Sequence, residues 1–454
     1  MLDINGPSRP LCDGISRRKF IEIGSLGVFG LSLSSLLQHE TLAAADPAPA
    51  GRGHAARRSS KRSVILIWQH GGPSQLDTFD MKPDAPSEVR GPYQPMRTSL
   101  RGLDVCEHYP YQAKVMDKCT VIRSFSHTNG GHFSASHWML TGRPSELGRV
   151  PSQPSMGSII SHMLGARKPG IMPYVNINDG GFGYHGASWL GLAQNPFRYG
   201  GYSYGDEGRP FPTVKLENFQ LVDGLSRDRL MNRVSLKQQF ELMRHRLDGN
   251  KTFDHIDSID GRALDLIVSG RTQEAFDLDS EDAATRELYG PGWGEQALLA
   301  RRLVQAGVRF VALNTGYWDD HGNIKGRLDD KLPRHDRAVG ALIQDLANRD
   351  MLENTLVVTA GEFGRTPTIN GNRGRDHWPL AQSILIAGGG YRHGQVIGTT
   401  NAKAEHPTSG DVGVEDFCAI IYHALGLKPT DTIKDHEDRP VHLLPGGRVP
   451  EELL

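Results

Sequence analysis

Apolar residues along this chain gather in short unbroken runs. Val64-Ile65-Leu66-Ile67-Trp68 is the first of them, and a run with no polar alternation is what a strand covered on both faces requires. Similar runs recur at Thr120-Val121-Ile122, Tyr174-Val175-Asn176-Ile177, 308–313, Leu356-Val357-Val358 and Ile384-Leu385-Ile386-Ala387. Between them the period changes to that of a helix. Ala338, Leu342, Ile343 and Leu346 fall on one face of a stretch at 337–348, and Phe417, Ile420, Ile421 and Ala424 do so at 414–425. Strands alternating with helices predict an α/β fold around a mostly parallel sheet, with ligands at the carboxyl ends of the strands. From 178 to about 255 the rhythm gives way to loops rich in Gly, Tyr and Asn and a charged helix at 227–247. That region, with the helices up to 306, is expected to be an insertion that shapes the site.

The N-terminal segment follows a different logic. Ser16-Arg17-Arg18-Lys19-Phe20-Ile21 is a twin-arginine pattern, followed by a weakly apolar run to Leu37 and then Ala43-Ala44-Ala45. Glu22 and several Ser and Gly leave the run short of the roughly 20 apolar residues that a membrane span needs. Residues 1–45 are therefore expected to be an export leader for the twin-arginine machinery, leaving no membrane span in a periplasmic or extracellular protein. Residues 46–62, with five Arg or Lys and no apolar period, are expected to be a flexible basic tether before a single domain at 63–454.

Composition narrows the partners. The 51 Lys and Arg nearly balance the 52 Asp and Glu, which removes the charge excess expected of a nucleic-acid binder or an anionic-membrane coat. Of four cysteines, Cys12 belongs to the leader, and Cys106, Cys119 and Cys418 match no zinc or redox spacing. The 19 His residues are the more telling count, because several of them stand beside carboxylates just after predicted strands.

Three predicted strand ends carry such a cluster, and a fourth cluster lies in the loop before the strand at 384–387. Gln69-His70-Gly71-Gly72-Pro73-Ser74-Gln75-Leu76-Asp77 follows the first strand, and Asn314 to Asn323, containing Trp318-Asp319-Asp320-His321, follows the strand at 308–313. Gly361-Glu362-Phe363-Gly364-Arg365 follows the strand at 355–358, and Asp376-His377-Trp378 closes the loop leading to 384–387. One such pair alone is as well explained by a cap or a hydrogen-bonded loop. Four of them on one sheet rim predict a site for one or two divalent cations, with zinc first and manganese or calcium as alternatives. The candidate ligands are His70, Asp77, Asp319, His321, Glu362, Asp376 and His377. Asp80, Asp84, Asp329 and Asp330 are expected to be solvated carboxylates or caps. A further cluster runs from Ser126 to Arg143. Its His132 and His137 are five apart, so a helix there places them on different faces.

The motifs at 70–80, 132–143, 318–323, 361–367 and 374–379 together resemble the exported, planctomycete-type DUF1501 family, and through it the alkaline phosphatase and sulfatase superfamily. The resemblance covers nearly all of the chain after the leader. It implies an alkaline-phosphatase-like fold and metal-dependent hydrolysis of a small-molecule or polymeric phosphate or sulfate ester. The segment at 132–143 is similar to the sulfatase nucleophile segment, although the slot for a Cys or Ser nucleophile falls near His132, with Ser134 and Ser136 close by. On that resemblance a metal-activated water replaces the protein nucleophile. Arg365 or Arg143 offsets developing charge, His132 or His127 protonates the leaving group, and Ser134 is a further catalytic candidate. The alternative is a degenerate member of the fold that binds a glycan or cell-envelope partner, with the aromatic loop at 184–204 as its platform.

Overall fold

The computed structural model describes residues 61–145, 153–168, 170–178, 186–200 and 270–454, all within one compact unit. The leader, the tether up to residue 60, the charged helix at 227–247, most of the insertion and parts of the aromatic loop at 184–204 lie outside the described residues.

Eight strands form the central sheet. In chain order they are β1 Ser63–Trp68, β2 Cys119–Phe125, β3 Tyr174–Ile177, β4 Phe197–Tyr199, β5 Phe310–Asn314, β6 Thr355–Ala360, β7 Gln382–Ala387 and β8 Gln395–Ile397. Their spatial order is β8-β2-β7-β6-β1-β5-β3-β4. Five of the six sequence runs fall inside strands and the sixth, 308–313, overlaps β5 from Phe310 onward, and the architecture is the expected α/β sheet between helices.

The sheet is mixed. β7 runs antiparallel to both its neighbours, β2 and β6, whereas the remaining pairings are parallel. This reversal has a consequence for the site. The carboxyl ends of β1, β2, β5 and β6 share one rim, and the amino end of β7 reaches that same rim. His377, five residues before β7 begins, is thereby delivered to the edge at which the other clusters emerge.

Every residue of β1 is buried, as a strand between two helical layers must be. Val64, Leu66 and Trp68 pack into a core shared with α1 (His132–Thr141), α2 (Met156–Leu164) and α5 (Val414–Ala424). Ile65 and Ile67 alternate to the other face, where α3 (Trp293–Ala306) meets β1 and β5 and packs against α4 (Ile324–Asn348). Each such buried aliphatic contributes roughly 1.5–3 kcal/mol, so the sheet provides a rigid base for the polar loops above it. The three remaining cysteines are buried and unpaired. One expectation fails here: Asp80 is buried, held by Lys82, Arg123 and Thr400, and is neither solvated nor a cap.

Candidate metal centre

The loop after β1 turns tightly because Gly71 and Gly72 take φ of 106° and 86°, a region open to glycine at little cost. A Cβ on Gly71 would lie 2.5 Å from the Asp319 backbone nitrogen. This close approach lets the Gly71 N–H donate to Glu362 Oε1 at 2.8 Å and the Trp318 N–H donate to the His70 carbonyl at 2.7 Å. The loops after β1, β5 and β6 are thus tied to one another directly. Beyond Glu362, the two-residue strand Gly364–Arg365 pairs antiparallel with His377–Trp378, with Arg365 opposite His377. The loop after β2 leads into α1, whose first residue is His132.

Six side chains converge on this rim. His321 Nε2 lies 3.0 Å from His377 Nε2, and Asp319 Oδ1 lies 2.9 Å from the first and 3.0 Å from the second. Donors about 2.0–2.1 Å from a tetrahedral zinc stand roughly 3.3 Å apart, close to this spacing. Across His132 lies a second group, in which His70, His132 and Glu362 offer ligand atoms within 4.8 Å of one another. Glu362 is fully buried, and among the described residues its Oε2 has no hydrogen-bond partner. A buried carboxylate oxygen left in that state is costly unless a cation or donor compensates it.

Hydrogen bonds on the outer ring nitrogens decide what the inner ones offer. His377 Nδ1 lies 2.8 Å from the Gly130 carbonyl, which can only accept, so Nδ1 carries the proton. His321 Nδ1 lies 2.6 Å from Asp376 Oδ1, and the hydrogen bond from His321, first among its causes, holds the Asp376 carboxyl below its ordinary range. In the neutral rings both Nε2 atoms therefore present lone pairs, to each other and to an anionic oxygen. Asp319 Oδ1 already accepts from Arg365, but the two imidazole lone pairs that face it and each other have no donor between them in these forms, and a cation there would serve all three. The donor chemistry fits a divalent ion, and Asp376 behind His321 is the outer carboxylate that typically orients such a ligand.

The charges agree with this arrangement. Burial raises the Asp319 carboxyl, but the His132 and His377 rings beside it and the Arg365 guanidinium outweigh it and hold the group far below its usual value. Burial likewise opposes ionisation of Glu362, and the His70 and His132 imidazoles overcome it. His70 is lowered by burial against the attraction of Glu362, which favours the neutral ring a metal needs. His132 is raised to about 9: burial disfavours its cation, and the hydrogen bonds to Asp319 and Glu362 prevail.

Other expected site residues are placed elsewhere. Asp77 is fully buried and bound to Arg375 Nε at 2.8 Å and Ser74 Oγ at 2.5 Å, so its charge serves a buried ion pair. Asp376 is not an inner ligand either, since it stands on the outer nitrogen of His321. Arg143 follows the far end of α1, and a ten-residue helix carries it roughly 15 Å from His132. There it donates to the His442 carbonyl. His127 accepts from the Asn129 N–H at Nδ1, which places its proton on Nε2, 2.6 Å from the Glu362 carbonyl. With both nitrogens engaged, it fastens backbone and has no proton to give a leaving group. The Ser134 hydroxyl donates to Asn129 Oδ1 at 2.8 Å, which is no base. Arg365 is buried, and its guanidinium holds the Gly71, Gly72 and Arg375 carbonyls together with Asp319. It positions Asp319 and is not open to a substrate.

Two contributors went unrecognised in the sequence. The Tyr317 hydroxyl donates to Asp319 Oδ2 at 2.9 Å, and Phe363 lies against His377 and His132 with ring centroids 4.5 and 5.1 Å apart. Tyr317 stands two residues from a candidate ligand, which is the one signal the chain offers for it. Asp320, next to Asp319, turns away to Lys331 Nζ at 2.6 Å.

Among solved structures, a sulfatase from Pseudoalteromonas sp. is similar at 12% identity over 86% of this chain and 75% of its own, with a TM-score of 0.38. The alkaline phosphatase of the Antarctic bacterium TAB5 is similar at 11% identity over 81% and 98%, with a TM-score of 0.37. The C-terminal periplasmic domain of EcEptC from Escherichia coli, in complex with Zn, is similar at 9% identity over 90% and 99%, with a TM-score of 0.37. Likenesses this distant carry no argument about activity. No curated protein matches the chain. A family model described as "Protein of unknown function (DUF1501)" matches residues 61–454, and on that match the chain belongs to the DUF1501 family.

Proposed function

We propose that this protein is an exported metal-dependent hydrolase of an anionic ester, a phosphate or sulfate ester of a small molecule or a polymer. One observation carries the reading: His321 Nε2, His377 Nε2 and Asp319 Oδ1 stand within 3.0 Å of one another with their outer partners fixing the ligand forms. Imidazole with carboxylate suits zinc first, with manganese or calcium as alternatives. When bound, a divalent cation supplies a Lewis acid for an ester oxygen and makes water acidic enough to ionise near neutral pH.

The chain's own residues do the remainder. Asp376 and Gly130 orient the two imidazoles, and Arg365 and Tyr317 fix the Asp319 carboxylate from two sides. The His321 side chain is 45% exposed, so an ester can approach the group from solvent. His132 stands between Asp319 and Glu362 and turns one ring nitrogen toward each carboxylate. The choice of phosphate or sulfate rests on the motif resemblance. Export rests on the twin-arginine pattern at residues 16–21 and on its expected partner, the twin-arginine machinery. Among the described residues no helix is long and apolar enough to cross a membrane.

A screen with aryl phosphate, phosphodiester and aryl sulfate substrates tests the activity. Turnover that disappears with chelator and returns with added metal is the expected result. No turnover, together with glycan binding that survives chelation, would support the degenerate binding module instead.

A further inference from the structure

His132 presents its two ring nitrogens to different carboxylates. Nδ1 lies 2.6 Å from Glu362 Oε1, while Nε2, across the ring, lies 3.3 Å from Asp319 Oδ2. Glu362 belongs with His70, and Asp319 belongs with His377 and His321. The ring therefore stands as a partition with one nitrogen facing each group, and both donor groups include it.

Each side has acceptor atoms that a cation would serve. On one side Glu362 Oε2 is buried without a hydrogen-bond partner among the described residues. On the other, two imidazole lone pairs face Asp319 Oδ1 at 2.9 and 3.0 Å. A cation in one group leaves the other group as it was.

We propose that the centre takes two divalent cations, one on each side of His132, with its imidazole as the ligand they share. The inference rests on the metal reading above and adds ion number and arrangement to it. Binding through both nitrogens releases the ring's protons to solvent, so the ring becomes a third anionic ligand beside Asp319 and Glu362. Two dications against three anionic ligands leave one positive charge, and Arg365 adds another. That balance suits an anionic ester. The spacing is distinctive too. Two metal–nitrogen bonds of about 2.0–2.1 Å on opposite sides of an imidazole put the ions roughly 6 Å apart, against about 3.5–4 Å for the usual two-metal hydrolytic pair.

The test uses the full chain, stripped with chelator and titrated with Co(II). Elemental analysis after gel filtration should give two equivalents, and electron paramagnetic resonance with X-ray absorption should place the ions roughly 6 Å apart. His132→Ala should abolish the coupling, and Glu362→Gln should lose one equivalent while the ion at His321, His377 and Asp319 is kept. No metal in the unaltered protein would overturn the metal reading itself. One equivalent, or two ions within about 4 Å, would overturn the shared ligand and leave that reading standing. Both of those outcomes are read on the unaltered protein, so a variant that fails to fold does not decide the matter.

Discussion

Asp319 is the residue on which most of the centre depends, because His132, His321, His377, Tyr317 and Arg365 all reach its two oxygens. Tyr317→Phe keeps the ring and removes one hydrogen bond, so metal stoichiometry should be retained while affinity falls about 10-fold, as for loss of other outer partners; a competition titration reads this. His132 gives a pH signature in the chelator-treated protein. Its folded pKa, about 9, lies above the ordinary 6.5, so the stabilisation is complete below the lower value and is lost as pH rises through the higher one. Stability from urea unfolding should fall across that window by on the order of 2 kcal/mol, and in His132→Gln the slope should flatten. At this scale the meeting of His70, His321, His377, Asp319 and Glu362 on one rim was legible in the sequence, because short polar clusters next to apolar runs mark strand ends. The roles of Asp77, His127 and Arg365 were not. What separates a ligand from a buried structural charge is its partner, and their partners, Arg375, the Glu362 carbonyl and the Gly71 and Gly72 carbonyls, are near in space and distant or unmarked in the chain.

Loops, more than strands, decide the geometry between residues. The Gly71 turn has a positive φ, and a Cβ there would lie 2.5 Å from the Asp319 nitrogen and 2.7 Å from the Trp318 nitrogen. Gly71→Ala should therefore separate the loops after β1 and β5 and abolish metal binding while the sheet persists, so that circular dichroism stays near that of the unaltered protein. The Asp77–Arg375 pair braces the same region from below, with both side chains fully buried. Asp77→Asn leaves the guanidinium without its counter-charge and should cost about 3–5 kcal/mol in denaturant unfolding. Metal stoichiometry in the folded fraction should be unchanged. α1 shows how element geometry corrects motif reading: residues His132 to Arg143 are one motif in the sequence, but the helix separates its ends.

For the whole molecule, the apolar runs located six strands, since unbroken burial on both faces leaves a plain mark. The direction of β7 left no such mark. Parallel and antiparallel buried strands carry the same apolar composition, and only the pairing with β2 and β6 distinguishes them. That reversal is what brings His377 to the rim, so the sheet topology and the candidate chemistry are one question. The direct measurement is elemental analysis of purified full-length protein beside Asp319→Ala and His377→Ala, each checked for folding. Stoichiometric divalent metal in the unaltered chain, reduced in both variants, is the expected result. Folded protein that holds no stoichiometric metal, even after dialysis against zinc or manganese, would contradict the assignment of this rim as a metal centre.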